Sequence, residues 1–498
     1  MRLQFLRPLL AVSALHLAPA TAAVSPAVVF TDHMVLQRSQ PIPVWGQAEP
    51  GEEVTVSFAD QNRTTTADAS GRWSLSLAPL PANSTPRAMT LRGRNTVTIS
   101  DVLVGEVWLC SGQSNMEKNL GPRRGQLPTD NHAEEIAAAH HPLLRLFQMP
   151  RHGKPAAGDT LSNHWLPCTP DVVDAVQFSA LGYFFGRELK NTLSVPVGII
   201  HSSVGGTRIE LWTSPDGFAS VPALADFARA AQARQNFDGA AVSSLYHSMI
   251  APLAPFALRG FLWYQGESNL MKNDFAVYTD KTVALINGWR QLWQLPAAPF
   301  YAVQLAPHTY SLRKKPEPLS PAALPLFWEA QNAAALLPHS GIVVINDLAP
   351  NPSDIHPTNK KDVGLRLARL ALTQAYGLKG ITAHGPRFKS LSVVGKTAVL
   401  SFAATRPLAV RDGQKLTGFA IAAADQKFFP AVATLDGDTV HVSATEVSTP
   451  VAVRYGWHET EPGNLTDASG LPSPAFRTDN WEIDWRRPAT PDDVAPKK

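Results

Sequence analysis

Polar and apolar positions alternate over roughly the first hundred residues, and then the alternation stops. Between residues 24 and 100 the stretches "PIPVWGQ", "EEVTVSF", "RWSLSL" and "NTVTISD" read as short strands. Gly-, Pro- and Asp-containing turns separate them, which predicts a small antiparallel β-sandwich. From residue 101 the strand candidates become continuously apolar: "VGEVWLC" (104–110), "VPVGIIH" (195–201), "LRGFLWY" (258–264), "PFYAVQL" (299–305) and "GIVVIND" (341–347). Helical spacing fills the gaps. Phe178, Leu181, Phe185 and Leu189 share one face, and so do Phe275, Tyr278, Leu285, Trp289 and Leu292. A last helix is expected from about Pro357, suited to a first turn, to about Gly377, suited to a C-terminal cap. Five such alternations predict an α/β class with a parallel sheet covered by helices on both faces. Beyond Gly380 the helical period vanishes, and "KTAVLSF", "FAIAAA", "TVHVSA" and "VAVRYGW" predict a closing all-β module with a polar, Pro-rich tail.

The expected organisation is therefore a leader at 1–23, a β-sandwich at 24–100, an α/β domain at 101–378 and a β module at 379–498. A chain of 498 residues exceeds one compact core, in keeping with several domains. The leader "MRLQFLRPLLAVSALHLAPATAA" has two arginines, an apolar centre and an Ala-x-Ala end, the pattern of a signal peptide cleaved near Ala22 or Ala23. The expectation is an exported protein, periplasmic or extracellular. No later segment reaches the ~18 apolar residues of a membrane span. Lys+Arg 44 against Asp+Glu 41 gives a formal charge of +3 without like-charge runs, which argues against nucleic acid or membrane partners. Cys110 and Cys168 are too few for a disulfide framework or a cysteine zinc site. Their pairing and two separate buried thiols both stay open. No metal and no cofactor are expected.

Ligands of open parallel sheets bind beyond the carboxyl ends of the strands. Four of those ends carry chemistry here. The first leads into Ser111-Gly112-Gln113-Ser114-Asn115, the second into Ser202-Ser203-Val204-Gly205-Gly206, and the third into Gln265-Gly266-Glu267-Ser268-Asn269. The last leads through Asp347 to Asp354-Ile355-His356-Pro357. Together they supply a nucleophile, oxyanion donors, a base and an orienting carboxylate, the parts of an acyl-transfer site. Each has a plainer structural reading: Ser114 and Asp354 as helix caps, Gly205-Gly206 as a tight turn, Gln265 and Glu267 as partners of buried backbone. The inference rests on all four meeting at one edge. The Gly-x-Ser-x-Gly elbow is absent, since Met116 stands two residues after Ser114.

"DVLVGEVWLCSGQSNM", "SSVGGTRIELW", "WYQGESN" and "DIHPTNKKDVGLRLARLAL" resemble the sialate O-acetylesterase family of SGNH-type hydrolases. "FTDHMVLQRSQPIPVWGQA" and "VRYGWHETEPGNLTDASGLPSPAFRTDNW" extend the resemblance to the β modules of bacterial members. It implies a three-layer αβα, flavodoxin-like fold and a serine esterase that deacetylates sugars without a cofactor. It implies Ser114 as nucleophile, His356 as base and Asp354 as third member. The wider group places its acid three residues before the histidine, where this chain has Ser353, so Asp347 stands as the alternative. The amides of Ser114 and of Gly205 or Gly206 are the expected oxyanion donors. Gln265 or Asn269, with Gln265 favoured, would add a side-chain amide in the block that holds Glu267. Arg208 would meet a sialate carboxylate or pair with Glu210. The implied substrate is an O-acetylated sialic acid, with plant xylan or xyloglucan as the alternative; a non-catalytic glycan-binding protein is a third class. Activity is expected to fall in acid around the ordinary histidine value of ~6.5.

Overall fold

The computed structural model describes residues 23–486, apart from 124, 156–158, 160, 238 and 314–317. The expected signal peptide (but for Ala23) and the polar tail lie outside the described residues. The strands of the main sheet are β1 (Thr96–Gly112), β2 (His141–Gln148), β3 (Trp165–Cys168), β4 (Val197–Ser203), β5 (Gly260–Tyr264), β6 (Phe300–Val303) and β7 (Ser340–Val343). The helices that matter below are α1 (Ser114–Glu117), α2 (Ala180–Leu193), α3 (Glu267–Leu270), α4 (Phe275–Trp293), α5 (Ala323–Ala334) and α6 (Lys360–Gln374).

The strand order is β3-β2-β4-β1-β5-β6-β7. Every pair is parallel except β3, which lies antiparallel on β2 at the edge. All five expected strands are present, whereas β2 and β3 were not foreseen. Arg145 interrupts the apolar run of β2 and Pro167 that of β3, so neither reads as a buried strand. Arg145 is nonetheless buried, its guanidinium held 2.5 Å from Asp101.

Helices cover both faces. Cys110 lies under Gly182 of α2, and Trp108 packs edge-on to Phe185 of the same helix. The opposite face carries Phe261 and Trp263, both edge-on to Trp289 of α4. Leu181, Phe185 and Leu189 of the expected apolar face are fully buried, and α2 is buried almost all round because α6 closes over it. A Cβ at Gly364 of α6 would sit 2.7 Å from Phe184. The last helix starts at Lys360 instead of Pro357. Asn359 caps it, its Oδ1 accepting from the Asp362 amide at 3.0 Å, and this frees 353–358 to form a loop.

The N-terminal strands show the expected alternation: Val54, Val56 and Phe58 point inward with Thr55 and Ser57 between them. Ser25–Pro26, Ile42–Gln47 and Arg72–Leu77 form a three-stranded sheet of their own, and the others join the main sheet through β1, which runs without a break through residues 100 and 101. Val35–Gln37 pairs parallel with Leu103–Gly105, and Asn83–Arg92 pairs antiparallel with the first half of β1. A single apolar core extends from Val54 through Trp108 to Leu367. The strands after α6 form two four-stranded sheets and one two-stranded sheet around a core of their own, which includes Leu400, Ile421, Val440 and Tyr455. Both cysteines are buried free thiols. Among the described residues no helix is long and apolar enough to cross a membrane.

Candidate active site

β1, β4 and β5 end level with one another: Gly112 pairs with Ser203 on one side and Tyr264 on the other. The chain leaves β1 at Gly112 with φ +140°, and a Cβ there would strike the Tyr264 carbonyl at 2.1 Å. Only glycine permits that exit. The turn then rises through Gln113 into the single-turn helix α1, with Ser114 at its first position.

His356 comes to this serine across the sheet edge. Its Nε2 lies 2.9 Å from Ser114 Oγ, so the neutral imidazole that accepts from the hydroxyl carries its proton on Nδ1. Asp354 Oδ1 accepts the His356 backbone amide at 2.8 Å and lies 3.8 Å from Nδ1. The carboxylate thus shapes the histidine loop and faces the imidazole at ion-pair range. Asp347 is engaged elsewhere, with both oxygens on the Arg366 guanidinium at 2.6 and 2.7 Å. The loop is also held from outside the sheet. Glu459, from the C-terminal strands, accepts the Ser311 amide at 2.9 Å, and the neighbouring Thr309 amide donates to the Pro352 carbonyl.

Burial pushes the His356 imidazole down to about 4; the Lys360 cation adds to this, Asp354 opposes it, and Lys118 and Arg123 contribute in the same sense as Lys360. That differs from the ordinary value expected from the sequence, because the ring is largely enclosed and three cations surround it.

Several expected donors prove to be spent. Gln265 is fully buried; its amide nitrogen lies within hydrogen-bond distance of Asn269 Oδ1 (2.6 Å), Gln113 Oε1 (3.2 Å) and the Thr207 carbonyl (3.2 Å). Its oxygen accepts from Tyr278 at 2.9 Å. Asn269 is equally buried, donating to Glu210 and Asp274 while accepting from the Ile209 amide. Neither amide is available to an oxyanion, because a buried amide group must satisfy its hydrogens inside. Glu267 is also enclosed. Its Oε1 accepts from Asn115 Nδ2 at 2.6 Å, and burial raises its carboxyl above the usual range. Gly205 packs against Ser114, where a Cβ would lie 3.2 Å from the serine Cβ, but its amide donates to Glu117 Oε2 at 3.2 Å. The Ser114 and Gly206 amides make no hydrogen bond among the described residues. Arg208 pairs with Glu210 at 2.9 Å, lies 3.6 Å from Asp274 and stacks over Phe237 at 4.3 Å, so it takes the structural role of the two expected.

Two residues of the site, Glu117 and Lys360, escaped the sequence reading, and a third, Asn115, stood in the first strand-end cluster without a role. Glu117, one turn after Ser114, binds Arg123 (2.9 Å), Arg151 and the Gly205 amide. Its position three residues after Ser114 was the available signal. Asn115 donates to the Ile355 carbonyl at 2.9 Å and to Glu267, and accepts from Lys360 Nζ at 2.8 Å. Lys360 falls in the first turn of the helix expected from about Pro357, and nothing in its sequence neighbourhood marked it as buried. Among the described residues no cluster of three or more His, Cys, Asp or Glu side chains is gathered as metal ligands.

Residues 104–373 match the family model described as "Carbohydrate esterase, sialic acid-specific acetylesterase". The chain is 30% identical to the sialate O-acetylesterase of Pongo abelii over 495 residues, covering 90% of this chain and 91% of that one. It is likewise 30% identical to the Homo sapiens sialate O-acetylesterase over 501 residues, with the same coverage of 90% and 91%. Among solved structures, a novel carbohydrate acetylesterase from Xanthomonas citri superposes with a TM-score of 0.80 at 36% identity, covering 92% of this chain and 100% of that one.

Proposed function

The chain belongs to the sialic acid-specific acetylesterase family of carbohydrate esterases and is a carboxylic-ester hydrolase; from that premise we propose that it removes O-acetyl groups from sugars through an acyl-enzyme on Ser114. The observation that carries the reading is the 2.9 Å contact between Ser114 Oγ and His356 Nε2 at the level end of three strands.

In this mechanism Ser114 Oγ attacks the acetyl carbonyl carbon while its proton passes to His356 Nε2. The carbonyl oxygen becomes an oxyanion, and the Ser114 and Gly206 amides are the donors left to meet it. Collapse breaks the bond to the sugar oxygen, which takes the proton back from His356 as the free hydroxyl leaves. Water then attacks the acetyl-serine and gives its proton to His356. As the Oγ–carbonyl bond breaks, Ser114 recovers that proton and acetate departs. Asp354 opposes the positive charge that the imidazole carries between the two transfers.

Acetylated sialic acid is the first substrate proposed, since the curated relatives above are sialate O-acetylesterases. One observation favours the second, an acetylated plant cell-wall polysaccharide: Arg208, the cation nominated for a sialate carboxylate, is tied up by Glu210. The leader supports export to the periplasm or beyond. The test is acetate release by wild type and Ser114→Ala from 9-O-acetyl sialic acid, acetylated xylan and acetylated xyloglucan. A loss of about four to six orders of magnitude in the variant is expected. Undiminished release would overturn the mechanism, and glycan binding without any release would leave a binding protein.

A further inference from the structure

Lys360 is fully enclosed, a position lysine occupies only when something compensates its charge. Elsewhere in this domain the compensation is ordinary: the buried Lys281 ammonium sits 2.6 Å from both Glu210 and Asp274. Lys360 is different. Among the described residues its ammonium makes no ion pair, only one hydrogen bond to Asn115 Oδ1 at 2.8 Å and a contact with the Tyr264 ring at 5.6 Å. Burial, reinforced by Lys118, pushes it down to about 7 against the opposing pull of Glu267, Asp354 and Asp130. It is therefore a cation throughout the range in which His356 titrates.

Its one hydrogen-bond partner links the two segments that carry the reacting side chains. Asn115 follows the nucleophile, and its Nδ2 donates to the carbonyl of Ile355, the residue before the base. The second Nδ2 hydrogen goes to Glu267 at 2.6 Å. Lys360 and Glu267 thus grip opposite ends of one amide and fix its rotamer. That amide joins α1, α3, the histidine loop and the start of α6. A planar amide held at both ends has no freedom to let Ser114 and His356 drift apart.

We propose that Lys360 is a positioning residue, which holds the nucleophile turn to the histidine loop through Asn115 and sets by its charge how far into acid the base keeps working. This rests on Ser114 and His356 being the catalytic pair. The charged groups facing His356 are Asp354 from its own loop, Lys360 from α6, and Lys118 and Arg123 from the segment after α1. Asp354 in turn faces His308, from the connection after β6. Of the cations acting on His356, Lys360 has the largest effect.

The experiment is the pH profile of kcat/KM for 4-nitrophenyl acetate in wild type, Lys360→Met, Lys360→Gln and Lys360→Arg, with Ser114→Ala alongside. Lys360→Met should lower kcat about ten- to hundredfold with little change in KM. It should also move the acid limb upward by about one pH unit, since imidazolium forms more easily once the cation is gone. Lys360→Gln, which keeps a donor for Asn115, should move the limb with a smaller loss of kcat. Lys360→Arg should leave the limb in place. An unmoved limb in both neutral variants would overturn the proposal. Should neither fold, a wild-type acid midpoint at the ordinary ~6.5 would overturn it as well. Hydrolysis that survives Ser114→Ala would strike down the catalytic pair itself; a silent Ser114→Ala with an unmoved limb strikes only the role of Lys360.

Discussion

Gly112-Gln113-Ser114-Asn115-Met116 and Gly266-Glu267-Ser268-Asn269-Leu270 are near twins on adjacent strands, yet one opens and the other is sealed. Both glycines have left-handed φ, +140° and +151°, and both turns lead into a single-turn helix. Both asparagines are buried and fully bonded. The difference lies in what stands over each serine. Above Ser114 is the Gly205-Gly206 turn, and nothing lies within 4 Å of where a Gly206 Cβ would be. Over the second turn, Phe327 and Leu305 press on Gly266 at 2.7 and 3.3 Å from its missing Cβ. Ser268 is left 7% exposed, whereas Ser114 keeps an open side and a histidine. Exposure here depends on the neighbours, while the two turns themselves are nearly interchangeable.

The contrast can be broken most sharply by removing each hydroxyl. Ser114→Ala should abolish acetate release by about four to six orders of magnitude, and Ser268→Ala should leave kcat/KM within about twofold. Comparable losses in both would mean that the second turn also takes part in the chemistry. The two buried lysines give the next largest difference, read in urea unfolding. Lys281→Met removes one of the two cations paired with Glu210 and Asp274, leaving them Arg208 and Asn269, and should cost up to about 3–5 kcal/mol. Lys360→Met strands no carboxylate at ion-pair distance and should cost less than half of that. Equal costs would contradict the difference in pairing. The smallest effect concerns Gln265. Gln265→Ala removes one hydrogen bond each from the Tyr278 hydroxyl and Asn269, which keep the Gln265 carbonyl and the Ile209 amide, and should cost about 0.5–1.5 kcal/mol of stability. kcat per folded molecule should fall less than about tenfold, where loss of an oxyanion donor removes about 10²–10³. A loss in the larger range would return Gln265 to the reaction.

Much of this architecture could be read from residue patterns. The switch from alternating to continuous apolar strands located the main sheet, because a strand buried on both faces has no polar side to show. Helix spacing found α2 and α4 for the same kind of reason. β2 escaped because Arg145 looks like an interruption, and it is Asp101, with the Pro142 carbonyl, that makes it tolerable inside. The start of α6 was misplaced because Pro357 suits a first turn as well as Asn359 suits a cap. At the edge, the strand-end rule gathered Ser114, Gly205, Gly206 and His356 correctly into one place. It also gathered Gln265, Glu267 and Asn269, which lie beneath the surface instead of on it.

By itself, then, the chain determined most of the strands and helices of the main sheet and which strand ends carry polar clusters, since those follow from local periodicity and the topology of parallel sheets. Which members of each cluster face solvent was decided only by packing. A Gln-Gly-Glu-Ser-Asn turn becomes internal scaffolding when Phe327 and Leu305 press on its glycine, and a Ser-Gly-Gln-Ser-Asn turn becomes an open edge when glycines stand beside it. The partner of a buried charge belongs to the same class of fact. Lys360 lies 245 positions from the Asn115 amide that it holds, and no local pattern reports a contact made across that distance.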